Sequence, residues 1–174
     1  MYLPTHIATG YLFAAVPAVA RRRPPSMLTA VIPALIGSVT PDAIDKPLRA
    51  MEITAYSRTV GHSLFFVAAL LVIWWLLDQR RVRLAKPFGW WTVGICSHLL
   101  ADLINDVFRG LEARGFLFTA WPGWPITTPD TFAISFGFGR EWRVHETYTS
   151  LEIGVFALTA VVLIVHIWLA IRRS

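Results

Sequence analysis

Little in this chain points to soluble chemistry. There is one cysteine, Cys96, so no disulfide forms within the chain and cysteine usage says nothing about redox compartment. No Cys-x-x-Cys, glycine-rich phosphate loop or Gly-x-Ser-x-Gly elbow occurs, and no His-Glu-x-x-His, which argues against a metalloprotease. No internal repeat or low-complexity segment divides the 174 residues, so a single domain, 1–174, is the natural count. Charge is scarce: 16% of residues are charged against 55% hydrophobic, and the mean hydropathy is +0.54. Soluble domains run lower in apolar content. A net charge of +5 would suggest nucleic acid in a soluble protein. Here the basic residues sit at the ends of apolar runs, so membrane topology accounts for them and no nucleic-acid partner is expected. A cleavable leader is set aside as well, because Arg21-Arg22-Arg23 follows the apolar run 7–20 and no basic segment precedes it.

What is there is a series of apolar runs, at about 5–20, 27–41, 62–77, 88–104 and 151–171. They predict an all-α, polytopic transmembrane helical bundle of about five spans. The first two are short for a bilayer and hold Pro17 and Pro33, which predicts kinks or broken ends. Arg21 to Arg23, the group Arg80, Arg81, Arg83 and Lys86, and Arg172-Arg173 fall on one side if the spans alternate. The positive-inside rule makes that side cytoplasmic, in a cell (inner) membrane protein. The N-terminus, the 42–61 loop and the 105–150 loop then lie outside. That last loop is aromatic, with Trp121-Pro-Gly-Trp-Pro125 barring regular helix, while Thr131 to Phe136 alternates at period two. It reads as an ordered cap holding a short β-hairpin, and a lipid-facing lid is a compatible reading.

Five polar residues converge on the outer side under this topology. His6 opens the first span, Asp42 closes the second, His62 opens the third, and His98 and Asp102 lie on the outer half of the fourth. His98 and Asp102 are four residues apart, hence on one helix face a turn apart. Ionisable groups left unpaired in lipid cost several kcal/mol, so such residues are functional candidates. Singly, each has a plain structural role open to it: a helix cap for His6 or His62, a turn for Asp42, an ion pair with Arg58 or Arg109 for Asp102. Together, three histidines and two aspartates at one depth suit a divalent metal, Zn²⁺ first, with Mn²⁺, Fe²⁺ or a second ion as alternatives.

Thr5-His6…Gly10, Pro41-Asp42, Arg58-x-x-x-His62-Ser63 and His98-Leu-Leu-Ala-Asp102 resemble the successive motifs of the YdjM-like family of membrane-bound metal-dependent hydrolases. That family is itself distantly similar to zinc-dependent phospholipase C and related single-strand nucleases. The resemblance implies that Asp42, His62, His98 and Asp102 share one metal, with His6 serving a neighbouring one. The phospholipases add a later His and a His-x-x-x-Glu pair. This chain offers only His145-Glu146 and Glu152 there, which favours one or two ions over three.

The expected activity is hydrolysis of a phosphoester, such as a phospholipid or lipid-phosphate headgroup. Asp45, three residues after Asp42, is the first candidate for general base and Glu146 the second. Arg58 is the candidate for binding phosphate. His166, near the far end of the fifth span, reads as interfacial. A metal or proton transporter and a non-catalytic scaffold are the alternatives. A transporter calls for a polar trail through the bilayer, which the apolar inner halves of the spans lack.

Overall fold

The computed structural model describes residues 3–54, 58–108 and 150–172. Helix α1 runs Leu3–Ala20. A π-helical turn, Met27–Val31, leads straight into α2, Ile32–Ala50. Then come α3, Leu64–Gln79, α4, Ala85–Phe108, and α5, Ser150–Ile171. No strand occurs among the described residues. The expected β-hairpin and lid fall in 109–149, outside them.

The five apolar runs each become a helix, with one difference in extent. The second helix does not stop at Pro41 but continues through Pro41 and Pro47 to Ala50. A membrane helix tolerates internal proline when neighbouring groups satisfy the freed carbonyls. The carbonyls freed by Pro41 and Pro47 are those of Gly37 and Ala43, one turn earlier. In the same stretch Ser38 Oγ donates back to the Leu35 carbonyl and Thr40 Oγ1 to that of Ile36, both at 2.8 Å. Pro33 costs nothing, since it sits in the first turn, where no N–H is required. The distortion falls before it, in the π-turn Met27–Val31 capped by Ser26, and the helix runs on unbroken. Pro17 lies within an unbroken α1.

Leu3–Ala20, Met27–Ala50 and Leu151–Ile171 are long and apolar enough to cross a membrane, and α3 is apolar over a shorter 16 residues. The outward faces agree with lipid. α3 exposes Phe65, Val72 and Trp75, and α5 exposes Leu158, Val161 and Ile164. In water such stripes would be aggregation sites; in hydrocarbon they are ordinary solvent-facing surface.

Helix α4 is the centre of the bundle, packing on α1, α2 and α3, while α5 lies along α1. Two apolar clusters hold these pairs. Tyr11, Leu12, Ala15, Val31, Ala34 and Val162 join α1, α2 and α5. Val67, Leu70, Ile95 and Leu99 join α3 to α4. Between α2 and α4 the backbones themselves touch. A methyl group at Gly37 would fall on the Trp91 carbonyl, and one at Gly94 on the carbonyl of Ala34. Small residues at such crossings are how membrane helices gain close van der Waals contact. Gly94→Ala is therefore expected to destabilise the bundle by about 1–3 kcal/mol, the usual cost of overpacking. Thermal unfolding followed by circular dichroism checks it. The contact also sets how near α4 brings its polar face to α2, so the same variant should retain less metal.

Candidate metal centre

One end of this bundle gathers the five polar residues picked out above, from α1, α2, the α2–α3 connection and α4. His6 is in the first turn of α1, Asp42 and Asp45 are one turn apart on the late part of α2, and His98 and Asp102 are one turn apart on α4. Arg58 and His62 lie on the connection entering α3, which begins after the Ser63 N-cap. His6, His62, His98 and Asp102 are all buried, and Asp42 is partly exposed.

The connection owes its shape to Asp45. That carboxylate is fully buried and accepts four hydrogen bonds. Oδ1 takes the Thr59 hydroxyl at 2.9 Å and the Gly61 N–H at 2.9 Å; Oδ2 takes the Thr59 N–H at 2.7 Å and His62 Nδ1 at 2.7 Å. Gly61 is required because a side chain there would strike the backbone of Pro41. One aspartate on α2 thus folds the loop and aims His62. On α4 the equivalent partner is backbone: His98 Nδ1 donates to the Ser38 carbonyl at 2.7 Å.

Those two bonds fix the chemistry of the opposite nitrogens. A neutral imidazole that donates from Nδ1 keeps a lone pair on Nε2. His62 Nε2 and His98 Nε2 face each other at 3.1 Å. Two lone pairs at that distance repel unless a cation, a proton or a metal ion, stands with them. Two imidazole nitrogens on one tetrahedral Zn²⁺ lie about 3.3 Å apart, so the spacing fits a metal. More donors surround the pair than a shared proton uses. Asp102 Oδ2 is 3.5 Å from His62 Nε2 and 3.7 Å from His98 Nε2, and Asp42 Oδ1 is 3.8 Å from His98 Nε2. Asp102 turns its other oxygen, Oδ1, to His6 Nε2 at 3.3 Å. The His6 ring stacks on His98 at 3.7 Å between centroids. Its Nδ1 is buried without a hydrogen-bond partner, the kind of orphan that costs about 1–3 kcal/mol unless an ion or water meets it.

Two triplets result whose ligand atoms lie within 4.8 Å of one another: Asp42, His62 and His98, and His6, His98 and Asp102. His98 belongs to both, yet has a single nitrogen to give, because Ser38 holds the other. The donor set therefore serves one ion through His98, with room for a second only where Asp102 and His6 supply it. The carboxylates also have cationic partners: Lys46 Nζ is 2.6 Å from Asp42 Oδ2, and Arg58 Nη2 is 3.1 Å from Asp102 Oδ2. The ion pair foreseen for Asp102 is thus formed with Arg58, alongside its approach to the histidines.

Of the other residues considered, Glu146 and His145 lie outside the described residues. His166 is away from the cluster, with its Nδ1 2.9 Å from the Tyr11 hydroxyl. Glu152, which stood beside His145-Glu146 in place of the later ligands of the phospholipase pattern, is fully buried on α5 and accepts a bond from Thr5 at 3.2 Å. It ties α5 to the residue before His6. Thr59 and Gly61 passed unremarked in the sequence. The signal was there in the spacing Thr59-x-Gly61-His62, a hydroxyl and a glycine just ahead of a histidine.

A bundle of lipid-facing helices enclosing a histidine–aspartate cluster defines a membrane protein with a buried site suited to a metal ion. The chain belongs to the YdjM inner membrane protein family, whose sequence profile matches residues 1–173. No curated protein and no solved structure matches it.

Proposed function

We propose that this protein is a metal-dependent hydrolase of the inner membrane that cleaves a phosphoester carried by a lipid, at a site on the extracytoplasmic side. The observation that carries this reading is the facing pair of Nε2 atoms, each set as an acceptor by its partner at Nδ1, with two carboxylates beside them. Structural histidines have no need of that arrangement. Asp42, His62, His98 and Asp102 are the residues that would hold the ion, the same four that the resemblance to phospholipase C selects. A divalent ion there lowers the pKa of a water toward neutrality and polarises the phosphoester.

The remaining side chains take supporting roles. Asp45 holds His62 Nδ1–H and, with four bonds already accepted, serves to orient that ring; Glu146 is then the remaining candidate for general base. Arg58 keeps Asp102 in place and, with its side chain one-third exposed, has the reach to bind an anionic oxygen of the substrate. Arg58→Gln is expected to raise KM for an anionic phosphoester about tenfold or more at saturating metal, the worth of a charge-assisted hydrogen bond, and to weaken metal binding as well by loosening Asp102. Unchanged KM with lost metal would instead confine Arg58 to holding Asp102.

The reading as a whole is tested by phosphodiesterase and phosphatase assays on purified protein beside His98→Ala and Asp42→Ala. Hydrolysis that depends on added Zn²⁺, Mn²⁺ or Fe²⁺ and is lost in both variants supports it. Equal activity in wild type and variants overturns it.

A further inference from the structure

The opposite end of the bundle has its own chemistry. An open groove of about 620 Å³ runs between the last turns of α1 and α5, lined by Val19 and Arg22 on one side and Val165, Trp168, Leu169 and Arg172 on the other. Its lining is graded. Val19, Val165 and Leu169 form an apolar wall, and the two arginines stand at the end of it, past the helix termini at Ala20 and Ile171. Among the described residues no acidic side chain lines the groove. The Arg172 guanidinium carbon stands over the Trp168 ring, 3.8 Å from its centre, a cation–π contact. Arg22 sits at a left-handed position, φ 53°, where the chain turns off α1, with its N–H on the Val19 carbonyl at 2.8 Å. Arg21 and Arg23 flank it in sequence.

Each part of this gradient matches one part of an anionic phospholipid. Guanidinium forks bind phosphate oxygens in pairs. A tryptophan at the end of a membrane helix marks headgroup depth. The apolar wall below continues into hydrocarbon, where an acyl chain lies. Basic pockets between helices at the positively charged membrane face are established headgroup sites. We propose that this groove binds the phosphate of one anionic phospholipid, clamped between Arg22 and Arg172 with its acyl chain along Val19, Val165 and Leu169. This site is separate from the histidine–aspartate cluster and stands whether or not that cluster hydrolyses anything.

Native mass spectrometry of the full protein in mild detergent, titrated with phosphatidylglycerol and with phosphatidylcholine, tests it. The wild type is expected to hold one phosphatidylglycerol with about thirtyfold preference, the value of two arginines at an anionic headgroup. Arg22→Gln/Arg172→Gln should lose that preference, and Arg80→Gln/Arg83→Gln, on the same basic side but outside the groove, should keep it. Inorganic phosphate at millimolar concentration should not displace the lipid. Equal retention of both lipids by the wild type overturns the proposal, without recourse to any variant. So does the same loss in both double variants, or displacement by phosphate alone.

Discussion

His98→Ala is expected to empty the metal centre and silence the protein. His98 belongs to both donor triplets, and its ring is positioned by a buried bond to the Ser38 carbonyl. Among the described residues the nearest imidazole does not replace Nε2 in that position, because His6 stacks on the same ring and points its Nε2 at Asp102. Loss of an outer partner alone weakens metal binding about 10–100-fold, so loss of a direct ligand should exceed about 100-fold. Phosphoester hydrolysis should fall about a thousandfold, matching the several kcal/mol that a metal supplies to such a reaction. Metal content by inductively coupled plasma mass spectrometry, paired with the rate, checks both. Helicity should persist, because the α3–α4 cluster of Val67, Leu70, Ile95 and Leu99 does not include His98. A variant that keeps its metal and rate would remove His98 from the centre.

Asp45→Asn is expected to act through the proton on His62. The carboxylate accepts from His62 Nδ1, leaving Nε2 with its lone pair toward His98. A carboxamide can turn only one oxygen to the loop. Whichever way it is placed, its NH₂ faces donors on the other side: Thr59 N–H and His62 Nδ1, or the Thr59 hydroxyl and Gly61 N–H. Relief comes if His62 moves its proton to Nε2, and an Nε2–H cannot ligate a metal. The expected outcome is metal affinity reduced about 10–100-fold with the rate per bound metal nearly kept. If Asp45 were the general base, metal would be retained and kcat would collapse. Competition against a chelator of known affinity, read beside the saturated rate, separates the two.

The sequence carried the site further than the fold's details. His98 and Asp102 were legible because i, i+4 spacing on a helix needs no tertiary information. His6, Asp42 and His62 followed from alternating spans, since the start of the first and third runs and the end of the second fall on one side. Arg58 was legible both as a cation near the site and, beside Arg109, as an ion-pair partner for Asp102; the fold selects Arg58 for that pair. The continuation of α2 past Pro41 was not legible, because proline signals a stop unless packing against a neighbouring helix, here α4, holds the helix together. That longer helix is what carries Asp45 under the loop and makes it the partner of His62. The role of Gly37 and Gly94 was equally hidden. A glycine that permits two backbones to touch looks, in sequence, like any other. Glu152 was visible as a charge at the start of the fifth run, but its bond to Thr5 depends on α5 packing along α1.

The central claim is that His62, His98, Asp42 and Asp102 hold a divalent ion. Anomalous diffraction collected across the absorption edge of the bound metal tests it most directly. The expected result is a peak within about 2.0–2.2 Å of both His62 Nε2 and His98 Nε2, with carboxylate oxygen completing the shell. Crystals grown with excess zinc that show no peak in this cluster, or a peak only at another place on the protein, would contradict it.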